Sequence, residues 1–189
     1  MKLPIASALL SALLPLSALA QWQLTEPTEV SFVSYKNVHL AEHHRFDRIL
    51  GSVSSEGNAE VRIDLSSIDS RIPIRDERMR DLLFNVKEFG QAVIRAQLPE
   101  SVLTAKQPQR FELEGHLALH GSQENFRVAV LVTPASNGQV VVSSLYPVMV
   151  HADSFALSKG LRELTDIAKL DVIAEVVPVH FTLTFEPAN

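Results

Sequence analysis

The chain has 189 residues, of which 17 are basic and 22 acidic, and it contains no cysteine. A formal net charge of −5 argues against nucleic acid as a partner. The lack of cysteine excludes disulfide staples and thiol chemistry, so stability must come from packing and backbone pairing.

Residues 1–20 carry one early cation, Lys2, then an apolar run that closes on Ala18-Leu19-Ala20. This is the pattern of a secretory signal peptide cleaved at a small-x-small site. Pro4 and Pro15 interrupt the run, and it is short for a bilayer span. Cleavage after Ala20 leaves residues 21–189 as one domain, exported to the periplasm. Without Lys2, 16 basic residues face 22 acidic ones, a net charge of −6. That length is enough to bury a sizeable core.

Alternation of period two then marks strand after strand. Val30, Phe32 and Ser34 alternate with Ser31, Val33 and Tyr35. His39 to His44 reads as a polar loop, and Phe46 to Val53 as a second strand disturbed near Leu50-Gly51. Ala59, Val61, Ile63 and Leu65 alternate with charged residues. From Arg75 the period changes: acids crowd the first turn, and Met79, Leu82 and Leu83 recur three and four apart, predicting a helix over about Ile74 to Phe84. Strands follow around Ala92 to Leu98, Phe111 to Leu119, Phe126 to Val132, Val140 to Ser144 and Val176 to Phe185. Asn137-Gly138 predicts a type I′ hairpin turn. Asp153-Ser154 predicts the cap of a second helix with the stripe Leu157, Leu161, Leu164 and Ala168. About eight antiparallel strands with one or two short helices favour a closed, lipocalin-like, all-β barrel, because closure removes exposed edges.

Few residues suggest chemistry. His39-Leu40-Ala41-Glu42-His43 matches H-x-x-E-H, a zinc protease pattern that requires a long helix. In a short polar connection a solvated surface is the plainer reading, and no metal is expected. Nucleophile elbow, P-loop, dinucleotide fingerprint and cysteine nucleophile are all absent, so no catalytic residue is assigned and an enzyme is not expected. The cluster Arg71, Arg75, Asp76, Glu77, Arg78, Arg80 and Asp81 is either a solvated helix face or a set from which Arg75 or Arg78 meets an anionic headgroup. The dry strand faces carry Val30, Phe32, Val61, Ile63, Leu65, Ile94, Phe111, Leu113, Leu117, Phe126, Val128, Val130, Phe181, Leu183 and Phe185. Those side chains either fill a core or line a cavity, and the residues alone do not choose.

The segments Ile63-Asp64-Leu65, Ser67-Ile68-Asp69-Ser70, Arg75-Asp76-Glu77-Arg78-Met79 and Leu83-Phe84-Asn85 together resemble the YceI-like family of secreted lipid-binding proteins. The likeness continues in Gly115 to Gly121, in Phe155 to Leu164 and in the final strand ending at Phe185. Two departures stand out: Ser122-Gln123-Glu124-Asn125 follows Gly121 where members often carry Thr-Lys-Pro, and Leu82-Leu83-Phe84 replaces a common Asp-Phe-Phe. The resemblance implies a hollow barrel that holds a long isoprenoid or other amphiphilic lipid. Its polar end would lie at the mouth near Arg75 or Arg78, and the barrel would contact membranes transiently. No cofactor other than the lipid itself is implied. The competing reading is a filled-core barrel acting as a stress-linked interaction protein, with an unrecognised hydrolase as a third.

Overall fold

The computed structural model describes residues 20–37 and 39–188. Residues 1–19 of the expected signal peptide therefore lie outside the described residues; Ala20 opens the first strand.

The described residues form eleven strands: β1 (Ala20–Lys36), β2 (Leu40–Phe46), β3 (Ile49–Ser54), β4 (Asn58–Asp64), β5 (Ile68–Asp69), β6 (Gln91–Gln97), β7 (Gln109–Leu119), β8 (Ser122–Pro134), β9 (Val140–Ser144), β10 (Val148–His151) and β11 (Val176–Pro187). Eight of them close a ring in the order β1, β11, β9, β8, β7, β6, β4, β3 and back to β1, every pair antiparallel. The remaining three extend one end of it. The last residues of β1 pair with β2, β2 pairs with β5, and the first residues of β11 pair with β10. Closure leaves the ring without an edge to template aggregation.

Two expectations about the first hairpin need correction. His39 to His44 is not a loop. From Leu40 onward it is strand β2, held along β1 with His44 opposite Phe32 and Leu40 opposite Lys36. The second strand breaks at Asp47-Arg48, not at Leu50-Gly51. At that corner Asp47 N–H donates to the Ser67 carbonyl at 3.1 Å and Arg48 N–H to Ser67 Oγ at 3.0 Å. The Arg48 guanidinium reaches Asp64 Oδ2, also at 3.0 Å. Ser67 belongs to a short 3₁₀ turn, Leu65–Ser67, that joins β4 to β5. Both strands therefore bend together, and their hydroxyl and carboxylate groups satisfy the backbone where the ladder is broken.

The turns also differ from expectation. His120 and Gly121 both take positive φ, 50° and 79°, between Leu119 and its partner Ser122. That is the two-residue type I′ connection. At Asn137-Gly138 only the glycine is left-handed, at 84°, and Gly138 N–H donates to the Ala135 carbonyl. The extra residues make this a longer hairpin closed by a left-handed glycine.

Among the described residues three helices accompany the strands: α1 (Pro73–Arg78), α2 (Glu100–Leu103) and α3 (Ser158–Ile167). α1 passes directly into a wider turn, Met79–Leu83, in which Phe84 N–H donates to the Met79 carbonyl five residues back. This widening buries Met79, Leu83 and Phe84 together. α3 begins after Leu157 rather than at Asp153, which instead opens a 3₁₀ turn, Asp153–Phe155. α3 crosses the wide turn so closely that a Cβ on Gly160 would meet the Leu82 carbonyl oxygen and lie 2.7 Å from Leu83 Cα. α1, the wide turn and α3 form a cap at the end of the barrel where β1 finishes. Val102 of α2 seals the opposite end against Val128, Val130 and Val132.

Candidate functional site: an apolar cavity with one polar wall

The barrel is hollow, with a cavity of about 660 Å³ running between the α2 seal and the helical cap. This lies within the roughly 300–1,000 Å³ usual for small-molecule sites. Its wall is made by the inward residues of the ring, including Val61, Ile63, Ile94, Leu117, Leu183 and Phe185. Val30, Phe32, Leu65, Leu113, Phe126, Val128, Val130 and Phe181 also lie on it. Of the apolar residues singled out from the sequence, Phe111 alone is not on the wall. It is half-buried in the cluster under α2, because β7 runs on past the end of β6 and its first residues meet the plug rather than the lumen.

Gly115 sits opposite Phe126 across the β7–β8 ladder. An added Cβ there would lie 2.9 Å from Phe126 Cζ and 2.8 Å from the Arg95 carbonyl oxygen. The glycine thus leaves room for the aromatic ring to fold over the neighbouring strand instead of standing out into the cavity.

One wall, near the cap, is polar. The antiparallel register of β1 and β2 puts Ser34 opposite Glu42, Phe32 opposite His44 and Val30 opposite Phe46. Side chains alternate along each strand, so Lys36, Ser34, Phe32 and Val30 share the inner face with Glu42, His44 and Phe46. The result is a graded column: Lys36 and Glu42 paired nearest the end of the barrel, Ser34 and His44 one layer in, then phenylalanine rings. Arg75 of α1 completes the outer layer, its Nη2 donating to Glu42 Oε1 at 2.6 Å. Lys36 occupies the other carboxylate oxygen. Burial acts to raise the Glu42 pKa, but Lys36 and Arg75 outweigh it and hold the carboxyl below its usual value. Arg75 and Arg78 both line the cavity, and Arg78 makes no ion pair among the described residues.

His44 is the most buried member, at 1% exposure. Its Nε2 shares a 2.8 Å hydrogen bond with Ser34 Oγ, and its ring lies 4.9 Å from that of Phe32. Its Nδ1 is buried with no partner among the described residues. Burial, together with the nearby guanidinium of Arg75 and ammonium of Lys36, brings its pKa down to about 4, so the imidazole is neutral near pH 7.

The strand also disposes of the helical metal geometry suggested by H-x-x-E-H. Glu42 and His44 share the inward face of β2, where His44 lines the cavity, while His43 is exposed on the other face. Sequence reasoning missed Ser34, Lys36, Glu42 and His44 as site residues. The signal was present as alternation through Leu40 to Phe46, masked by how polar its inward positions are.

The opening of the cavity is rimmed by apolar side chains. Ile72 and Ile74 at the start of α1 and Ile167 at the end of α3 line the cavity yet are 42%, 52% and 48% exposed.

A family model for the YceI-like domain matches residues 22–185. No curated protein sequence matches the chain. Among solved structures, a polyisoprenoid-binding domain from Saccharophagus degradans, implicated in plant cell wall breakdown, is similar at 29% identity with a TM-score of 0.85. That likeness covers 89% of this chain and 99% of the other. BcnA of Burkholderia cenocepacia shares the fold at 18% identity and a TM-score of 0.67, over 83% of this chain and 95% of its own. A YceI protein of Campylobacter jejuni does so at 12% identity and 0.52, over 77% and 84%.

Proposed function

The chain belongs to the YceI-like domain family, and from that premise we propose that it is a non-catalytic periplasmic carrier that sequesters a long isoprenoid or similar amphiphilic lipid. The observation that carries this reading is the continuous apolar cavity of about 660 Å³ with its polar groups gathered on one wall near the opening. An apolar chain fills the lumen and its polar end lies by Ser34, His44 and the Lys36–Glu42–Arg75 group. The polyisoprenoid-binding domain of S. degradans, the relative at 29% identity, supports the choice of cargo.

The driving force is transfer. Each methylene withdrawn from water gains roughly 0.8 kcal/mol, and a membrane offers the lipid nearly the same gain. A carrier therefore needs contact with the bilayer at loading and release, and the exposed isoleucines around the opening supply a lip that continues the apolar wall outward.

Mass spectrometry of organic extracts from protein purified out of a periplasmic fraction tests the reading. A prenyl or long acyl lipid near one equivalent, on a chain beginning at Gln21, is the expected result. A clean blank would sink the carrier, and an intact Met1 on a membrane-bound form would sink the export.

A further inference from the structure

The donors around His44 fix more of the ligand than the cavity's shape does. Ser34 is buried, and its hydroxyl has one hydrogen-bond partner among the described residues, His44 Nε2. If Nε2 carried the ring proton, the serine hydrogen would have no acceptor and Nδ1 no donor. If instead the serine donates to Nε2, one group is left over: an Nδ1–H with nothing to bond. The second arrangement orphans fewer groups, and buried donors are rarely left alone. His44 lines the cavity and the described residues supply Nδ1 with no partner, so a group brought into the cavity with its chain is the partner this nitrogen calls for.

The surroundings also specify charge. Lys36 and Arg75, the side-chain cations that act on His44 from β1 and α1, are both engaged by Glu42. Arg78, which lines the cavity without an ion pair among the described residues, is not among the charges that act on His44. That carboxylate would repel a phosphate placed beside His44. Phe32 and Phe46 flank the lumen side, with ring centroids 4.9 Å from His44 to Phe32 and 5.8 Å from Phe32 to Phe46. An uncharged oxygen on an apolar skeleton suits this environment, and an anion does not.

Resting on the carrier reading, we propose that His44 is the head-group determinant of this cavity, its Nδ1–H donating to an uncharged acceptor oxygen, a carbonyl, ether or hydroxyl, at the polar end of the bound chain. Ser34 is its positioning residue, because the hydroxyl selects the tautomer that leaves Nδ1 a donor.

The test holds the chain constant and changes its end. Delipidated protein is titrated with three C20 prenyl probes: the hydrocarbon, the methyl ether, which accepts a hydrogen bond but cannot give one, and the diphosphate. Wild-type protein should prefer the ether to the hydrocarbon by about tenfold, the scale of one neutral hydrogen bond to a buried donor. In Ser34→Ala/His44→Phe, which keeps a ring against Phe32 and leaves no stranded hydroxyl, that ratio should fall to about one. His44→Gln, which restores an N–H, should recover part of it. An equal affinity of the wild type for ether and hydrocarbon, or a ratio unchanged in the double variant, would overturn the assignment while leaving the carrier reading intact. Tighter binding of the diphosphate than of the ether would overturn the uncharged head. Failure of the wild type to bind any of the three would remove the carrier reading and this inference with it.

Discussion

A neutral histidine inside an apolar barrel couples the fold to pH in a definite direction. His44 has an ordinary value of 6.5 and is held at about 4 in the folded chain. Its folded pKa is therefore depressed, so the unfolded chain binds the proton more readily. The contribution to stability is present in full above about pH 6.5 and is lost as pH falls toward 4. The full loss is on the order of 3 kcal/mol. Glu42, Asp64 and Glu60 also have lowered values, but their contributions disappear below their ordinary range near 4, under most of the histidine window. Denaturant unfolding of delipidated protein at pH 7 and pH 5 should show the wild type less stable at pH 5. The double change Ser34→Ala/His44→Phe should flatten that difference. An equal pH dependence in the two proteins would mean that His44 is not held neutral by the fold.

At the scale of elements, what the sequence made legible followed from how regularly its faces alternate. β4, β6, β7 and β11 carry clean two-residue alternation, and the structure places their inward residues on one wall. β2 was misread because its inward positions, Glu42 and His44, are polar, so hydrophobic periodicity had nothing to count. Their partners explain the anomaly only in three dimensions: Lys36 and Ser34 come from β1, and Arg75 from a helix 33 residues further on. α2 is four residues long, too short for a helical period to register. The lip is the other case. Ile72 and Ile74 fall outside the stripe of Met79, Leu82 and Leu83 that marks the predicted helix, and at the start of α1 they stand exposed at the opening. If the lip enters a bilayer, Ile72→Glu/Ile74→Glu should weaken flotation with anionic phospholipid vesicles by roughly one to two orders of magnitude. Binding of a probe lipid from detergent-free dispersion would persist. Unchanged flotation would remove these residues from membrane contact.

The whole molecule is organised around space that its own side chains do not fill. Eight strands is the number at which a barrel is just wide enough either to be packed by side chains or to hold one ligand. The choice between those cases depends on inward side-chain volume and on what seals the ends, which strand periodicity does not report. Here Gly115 lets Phe126 fold onto the wall, the α2 cluster closes one end, and Gly160 draws α3 down onto the wide turn to cap the other. Each device keeps bulk out of the middle. Ile63, buried on β4 and directed into the cavity, is the position at which filling and emptiness give opposite results. In a packed core Ile63→Trp would cost typically about 1–3 kcal/mol by overpacking. In this barrel the indole has room to extend into the lumen, so delipidated Ile63→Trp should unfold within about 1 kcal/mol of the wild type, the tolerance expected where no neighbour must move. The same ring occupies ligand volume, so the lipid recovered with the purified variant should fall well below the wild-type amount. Thermal unfolding and extract mass spectrometry on one preparation measure both. Marked destabilisation together with undiminished lipid would mean that the ligand does not occupy this cavity.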